Sequence, residues 1–198
     1  MIVIGITGNI GSGKSAVCQI LANLGTVIID ADELAHEAYQ PHSQIWQEIV
    51  TAFGKHIVKS SNEIDHQKLA QIVFSNPASL ARLNQIVHPE AYRLVRQKID
   101  SYRRQGAKAI ALEAALLIEA GWMNLVDKLW LVKTPDDVVI QRLIQHKGSD
   151  RTEISARLKS QTPPEEKIKY VDEIIYNDSD LNQLETKVTE LWHKLDTA

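Results

Sequence analysis

The sequence predicts an α/β fold, a doubly wound five-stranded parallel sheet flanked by helices, and three observations carry that expectation. Five apolar runs rich in Ile, Val and Leu are too short for core helices: Ile2–Thr7, Val27–Asp30, Ala109–Glu113, Lys128–Lys133 and Glu173–Tyr176. Between them lie segments with helical spacing, such as Ser15 to Leu24 and Asp136 to Gln145. Strands that alternate with helices make a parallel sheet, because each crossover helix returns the chain to start the next strand in the same direction. The third observation is a gap of about 80 residues between the second and third runs, longer than one crossover needs.

In chain order, the first run leads into Gly8-Asn9-Ile10-Gly11-Ser12-Gly13-Lys14-Ser15, which fits GxxxxGK[ST] between a strand and a helix. Glycines let the backbone curl with its N–H groups inward around a phosphate, and the following helix adds the partial positive charge of its N-terminus. Lys14, read as an exposed loop side chain, reaches the β- and γ-phosphates, and the Ser15 hydroxyl ligates Mg²⁺. A plain glycine turn is the bland alternative, but the four fixed positions recur by chance in only roughly one chain per hundred of this length.

The second run ends in Asp30-Ala31-Asp32, at the edge of a parallel sheet where ligands collect. If the chain stays extended, alternation points Asp30 and Asp32 the same way, one toward metal and water and the other toward an acceptor hydroxyl. The competing assignment is a helix N-cap ahead of Glu33-Leu34-Ala35. The long gap that follows is punctuated at Pro41, Gly54, Asn76-Pro77 and His88-Pro89, with apolar residues at helical spacing from Leu69 to Ile86. A helical insertion forming one wall of a cleft is expected there. His88 is as well suited to packing as to touching a ligand, and for Trp46 and Trp122 core packing is the expectation, with a place beside an acceptor pocket as the alternative.

Glu113 closes the third run, where an acidic group stands near Mg²⁺ or one of its waters; a solvated strand-end carboxylate is the alternative. After the fourth run, Gln145 to Pro164 is a basic excursion with Arg142, Lys147, Arg151, Arg157 and Lys159 in or beside it, and Gly148 within it. That composition suits a lid over phosphates.

Charge and composition narrow the function. With 25 acidic and 22 basic residues, the net charge of −3 provides no global field for nucleic acid or an anionic membrane. The lone cysteine, Cys18, forms neither an internal disulfide nor a cysteine cage and is expected in the core. The opening Met1-Ile2-Val3-Ile4-Gly5-Ile6 has no basic leader and is too short to span a bilayer, so a soluble intracellular protein is expected. The NKxD signature of guanine-reading switches does not occur.

With these motifs assembled, the chain resembles the dephospho-coenzyme A kinase family over nearly its whole length. IGITGNIGSGKS, VIIDADELAHE, LNQIVHPEAY, ALEAALLIEAGW, ARLKSQ and PPEEK fall in the family's order. The resemblance implies a P-loop kinase fold with a core at 1–31, 107–144 and 165–198, a helical acceptor-binding insertion at 32–106 and a lid at 145–164. It implies transfer of the γ-phosphate of ATP, carried with Mg²⁺, to the ribose 3′-hydroxyl of dephospho-coenzyme A. Other small-molecule kinases, for nucleosides or nucleotides, are the alternative on the same core. It further implies that Gly11, Ser12, Gly13, Lys14, Ser15 and Ala16 hold ATP and that Asp32 orients or deprotonates the acceptor. Arg142 then meets the transferring phosphates, Arg157 and Gln161 belong to the lid, and Asn177 lies near the adenine. The expected partners are dephospho-coenzyme A and ATP, without nucleic acid, membrane or obligatory protein partner, and the expected compartment is the cytoplasm. Three positions depart from the family pattern: Glu113 replaces a frequent aspartate, Ala115 a frequent proline and His146 a second lid arginine.

Overall fold

The computed structural model of the chain describes residues 1–147 and 150–196. Five strands form one sheet: β1 (Ile2–Thr7), β2 (Val27–Asp30), β3 (Ala109–Glu113), β4 (Lys128–Lys133) and β5 (Glu173–Tyr176). All pairings are parallel, in the order β2-β3-β1-β4-β5. Every predicted run is therefore a strand. β3 is buried at all five positions, which explains why it reads as an unbroken apolar run rather than an alternating one.

The chain divides into two compact units, one of residues 1–30 with 99–198 and one of residues 31–98. In the first, Ile4 and Ile6 of β1, Trp130 and Val132 of β4 and Ile175 of β5 share a core with two helices. Helix α1 (Lys14–Asn23) contributes Val17, Cys18 and Leu21, and helix α9 (Leu181–Asp196) contributes Leu184, Val188 and Leu191. The spacing of those α9 residues puts them on one helical face. Each such aliphatic side chain contributes about 1.5 to 3 kcal/mol by leaving water. The C-terminal edge of this sheet presents Gly8 after β1, Asp30 and Glu113 as the last residues of β2 and β3, and Asn177 after β5.

Also in this unit are α6 (Asp136–Lys147), α7 (Arg151–Ser160) and α8 (Pro164–Lys167). Val139 and Leu143 of α6 pack with Ile154 of α7, and Ile10 and Leu158 lie against them. The expected lid therefore includes an ordered helix, α7, seated on the same apolar cluster as the Gly8–Gly13 loop. Gly148, one of the expected lid residues, and the side chains of His146 and Lys147 lie outside what is described.

The second unit is helical apart from a single antiparallel bridge between Val58 and Ile64. Its helices are α2 (Ala31–Ala38), α3 (Gln44–Phe53), α4 (His66–Ser75) and most of α5 (Pro77–Arg104). Side chains cap them: Ser43 Oγ accepts from Trp46 N at 3.1 Å, and Asp65 Oδ1 accepts from Gln67 N and Lys68 N at 3.2 Å. Asn76 Oδ1 does the same for Ala78 N at 2.9 Å ahead of Pro77, a residue suited to a first helical position.

Two expectations need correction here. His88-Pro89 is not a boundary, because α5 runs through Pro89. Proline in a helix interior costs on the order of 3 kcal/mol, but Val87, Ala91 and Val95 recur every four residues and are all buried, which keeps the helix intact. Nor does the chain stay extended past Asp30: α2 starts at Ala31, so alternation does not relate Asp30 to Asp32. Asp32 and Glu33 instead occupy the first turn of α2, where carboxylates favour the helix dipole. Among the described residues, no helix is long and apolar enough to cross a membrane.

Candidate active site

The loop between β1 and α1 takes its shape from glycine. Gly8, Gly11 and Gly13 have φ of 150°, 71° and 95°. A Cβ at Gly8 would collide with the Val132 carbonyl oxygen, and one at Gly13 with Asn177 Nδ2. The bare backbone thus leaves room for a phosphate to approach. Gly13 supplies no side-chain cap to α1, so the first-turn amides are not satisfied by a cap residue. Asn9 Oδ1 and Ser12 Oγ are buried in the loop with no hydrogen-bond partner among the described residues. A polar ligand fits such a cradle better than a plain turn does.

Lys14 is only 8% exposed, contrary to the exposed loop side chain expected. Its ammonium donates to the carbonyls of Gly8 at 3.1 Å and Asn9 at 3.3 Å, folded across the loop it serves. One residue on, Ser15 Oγ donates to Glu113 Oε1 at 2.8 Å, and Glu113 is itself 8% exposed. A hydroxyl whose proton is engaged by a carboxylate turns its lone pairs outward, which suits it to coordinate a cation. In-register pairing sets Glu113 beside Asp30, on the neighbouring strand.

Cys18 lies behind this pair, one turn along α1 from Ser15. Burial, and then the charge of Glu113 and a hydrogen bond to it, push the Cys18 thiol far above the ordinary range, and Lys14 opposes only in part. The thiol stays protonated and acts as a donor to Glu113 rather than as a nucleophile. The core position expected for Cys18 is borne out.

Behind the loop, Asn177 Nδ2 donates to the Ser12 carbonyl at 2.8 Å. Thr134 Oγ1 reaches the same oxygen at 2.8 Å and the Asn177 carbonyl at 3.1 Å. Asn177 thus engages the loop backbone directly. Thr134, which follows β4, is a supporting residue that sequence reasoning missed, and its strand-end position was the available signal. Gln161 Oε1, from the basic excursion, accepts from Ile10 N at 2.8 Å, so the end of α7 is tied to the loop. Lys167 is fully buried, its ammonium 2.9 Å from Glu119 and 3.4 Å from the Ala115 carbonyl. Arg142 on α6 and Arg157 on α7 are half-buried. Gly11, Ser12, Gly13, Lys14, Ser15, Ala16, Glu113 and Asn177 therefore converge on one edge of the sheet.

In the helical unit, Asp32 is exposed. Four residues beyond it, His36 follows on the same face of α2, Tyr39 comes just after the helix, and both rings meet His66 at the start of α4. His88 is half-buried on α5, and burial holds its imidazole below the usual range. Trp46 donates its indole N–H to the Asn62 carbonyl at 2.8 Å, which makes it a brace within this unit. Trp122, in the sheet unit, is buried.

Comparison with known proteins fits this arrangement. The family model described as dephospho-CoA kinase matches residues 2–183. The Geobacter metallireducens dephospho-CoA kinase is 42% identical over 192 residues, covering 97% of this chain and 96% of its own. The one from Dehalococcoides mccartyi is 38% identical over 188 residues, covering 95% and 94%. Among solved structures, dephospho-CoA kinase from Campylobacter jejuni superposes with a TM-score of 0.70 at 27% identity, over 98% of this chain and 96% of that one. Shikimate kinase from Bacteroides thetaiotaomicron, at 14% identity and a TM-score of 0.58 over 98% of both chains, shares the fold alone. With the loop, the strand-end carboxylate and the sheet order in place, a match of this extent means that the chain belongs to the dephospho-CoA kinase family.

Proposed function

We propose that the chain transfers the γ-phosphoryl group of ATP to the 3′-hydroxyl of the ribose of dephospho-coenzyme A, giving coenzyme A and ADP. The observation that carries the reading is the bond from Ser15 to Glu113 at the mouth of the glycine loop, within a chain of this family. In the reaction the 3′-oxygen bonds to the γ-phosphorus, the bond from that phosphorus to the bridging oxygen breaks, and ADP leaves with the bond's electrons. Gly11 to Ala16 hold the phosphates through backbone N–H groups, and Lys14 balances charge on the oxygens that carry it in the transition state.

The Ser15 hydroxyl, with Glu113 behind it or acting through a water, is the proposed hold for Mg²⁺, and the donor set of hard oxygens fits that ion. When bound, the ion screens the phosphate charge that would otherwise repel the acceptor oxygen. Asp32 orients the 3′-hydroxyl and takes its proton late, since phosphoryl transfer has a loose transition state. Arg142 meets the transferring phosphates, with Arg157 and Gln161 in the lid, residues 145–164. Asn177 serves the nucleotide by holding the loop that binds it, and residues 32–106 carry the acceptor. The cytoplasm, where ATP is plentiful, is the proposed compartment. Incubating the purified protein with ATP, Mg²⁺ and dephospho-coenzyme A, and weighing the products by mass spectrometry, tests the reading. Coenzyme A should appear; phosphorylation of nucleosides or nucleotides in its place would overturn the assignment.

A further inference from the structure

Outside the glycine loop, the rings of His36, Tyr39 and His66 come together in the helical unit. His36 and His66 are exposed, with ring centroids 4.7 Å apart. Beneath them Tyr39 is 9% exposed, its centroid 5.7 Å from each. Tyr39 Oη lies 3.3 Å from His66 Nδ1. Burial, helped by the charge of Asp32, raises the Tyr39 phenol far above its usual range, so it stays protonated beside the imidazole.

The cluster is tied to the acceptor chemistry by α2. Asp32 and His36 are four residues apart, about 6 Å along the helix axis. In an adenosine ribose, the 5′-phosphate is separated from the 3′-hydroxyl by only the sugar ring. A ligand with its 3′-hydroxyl at Asp32 can place its 5′-diphosphate one helical turn away. We propose that His36 and His66 form the subsite that binds the 5′-diphosphate of the acceptor, and so select dephospho-coenzyme A over acceptors lacking that group. The inference rests on the assignment of Asp32 to the acceptor hydroxyl.

The surrounding charges give the subsite a proton-linked signature. Burial, then His36 and Lys59, hold His66 below the usual histidine range, while Asp65 and Glu63 oppose them. Asp65, the N-cap of α4, is itself held low by backbone amides and Lys68. The N-terminus of α4 also disfavours a cation at His66 and favours an anion beside it. At neutral pH the unliganded His66 ring is therefore largely uncharged. An arriving diphosphate reverses the balance by favouring the imidazolium, so binding takes up protons and tightens as pH falls from about 8 toward 6.

Calorimetric titration of dephospho-coenzyme A into the full-length protein at pH 7, in two buffers of different ionisation enthalpy, measures that uptake directly. Wild type should take up protons with dephospho-coenzyme A and none with adenosine, which lacks the diphosphate. His36→Gln and His66→Gln keep size and hydrogen bonding but cannot take up the proton, so each should reduce the uptake. Each should also raise the KM for dephospho-coenzyme A about tenfold, as loss of a charged hydrogen bond predicts, with the KM for ATP little changed. Circular dichroism confirms the fold of each variant. Equal uptake in wild type and both variants, or none in wild type, overturns the subsite even when coenzyme A is formed. Failure of wild type to make coenzyme A overturns the reaction itself.

Discussion

Replacing Gly13 with alanine is the sharpest probe of how the phosphate loop is held. Gly13 sits at φ 95°, ψ 24°, left-handed backbone that costs an L-residue roughly 1 to 2 kcal/mol. Its new Cβ would also fall on Asn177 Nδ2, the amide that donates to Ser12 O. Asn177 is 7% exposed, so turning it away forfeits a buried hydrogen bond and adds roughly 1 to 3 kcal/mol. The expected loss is about 2 to 5 kcal/mol, which lowers Tm by roughly 5 to 15 °C for a chain of this size. A double-mutant cycle separates the two contributions. In an Asn177→Ala background the steric conflict is gone, so Gly13→Ala should cost only the backbone strain of about 1 to 2 kcal/mol. Differential scanning calorimetry of the four proteins gives the coupling, expected at 1 kcal/mol or more in magnitude. Strict additivity, within about 0.5 kcal/mol, would refute the claim that Asn177 and Gly13 share one space.

Other outcomes follow from the same geometry. Asp32→Asn keeps the size of the side chain but not its proton affinity, so kcat should fall by roughly 10²- to 10⁴-fold with little change in KM for ATP; a rate within threefold of wild type would return Asp32 to a helix-dipole role. Lys14→Ala should nearly abolish turnover while circular dichroism shows the fold retained, and full activity would contradict the loop assignment. Because the folded-state pKa of Cys18 is raised, its thiol stays protonated from pH 7 to 9, and iodoacetamide should modify it far more slowly than it modifies free cysteine. The same shift makes stability depend on pH: folding favours the thiol form, so this contribution is fully present below the unfolded value, near 9, and stability falls as pH rises above it toward the folded value. Rapid alkylation of the native protein at pH 8, followed by mass spectrometry, would show the burial to be wrong.

Much of the sheet was legible because burial on both faces leaves strands no polar alternation to hide behind, as in β3. The glycine loop was legible because its geometry demands glycine at fixed spacings and a lysine beside them. Of the loop's supports, Thr134 was not legible, and Asn177 was reached only through the family resemblance, as a residue near the adenine. Thr134 and Asn177 meet Ser12 from positions 122 and 165 residues away in the chain, and no local pattern reports a hydroxyl or amide aimed at a distant carbonyl. The same holds for Tyr39 and His66, which are 27 residues apart. Pro89 misled because propensity penalises it locally, whereas the buried stripe from Val87 to Val95 decides the helix. Asp32 misled on geometry for a related reason: the switch from strand to helix occurs without an intervening loop residue, and side-chain alternation ends with the strand.

The strand order has a consequence for how the chain folds as it is made. β1 is central in the sheet yet first in sequence, and its partners come late: Ile2 pairs with Ala109, and Ile4 with Lys128. At ribosomal rates of roughly 5 to 20 residues per second, β1 waits on the order of ten seconds for β3 to emerge. Throughout that wait its buried-type side chains, Val3, Ile4 and Ile6, have no sheet to join. Meanwhile residues 31–98, the whole helical unit, are synthesised before β3. Nascent chains should therefore acquire helical structure before any β-ladder, with the phosphate loop among the last parts to take shape, since its brace at Asn177 is synthesised near the end. A chaperone that holds an apolar N-terminal segment would act on this chain in that interval.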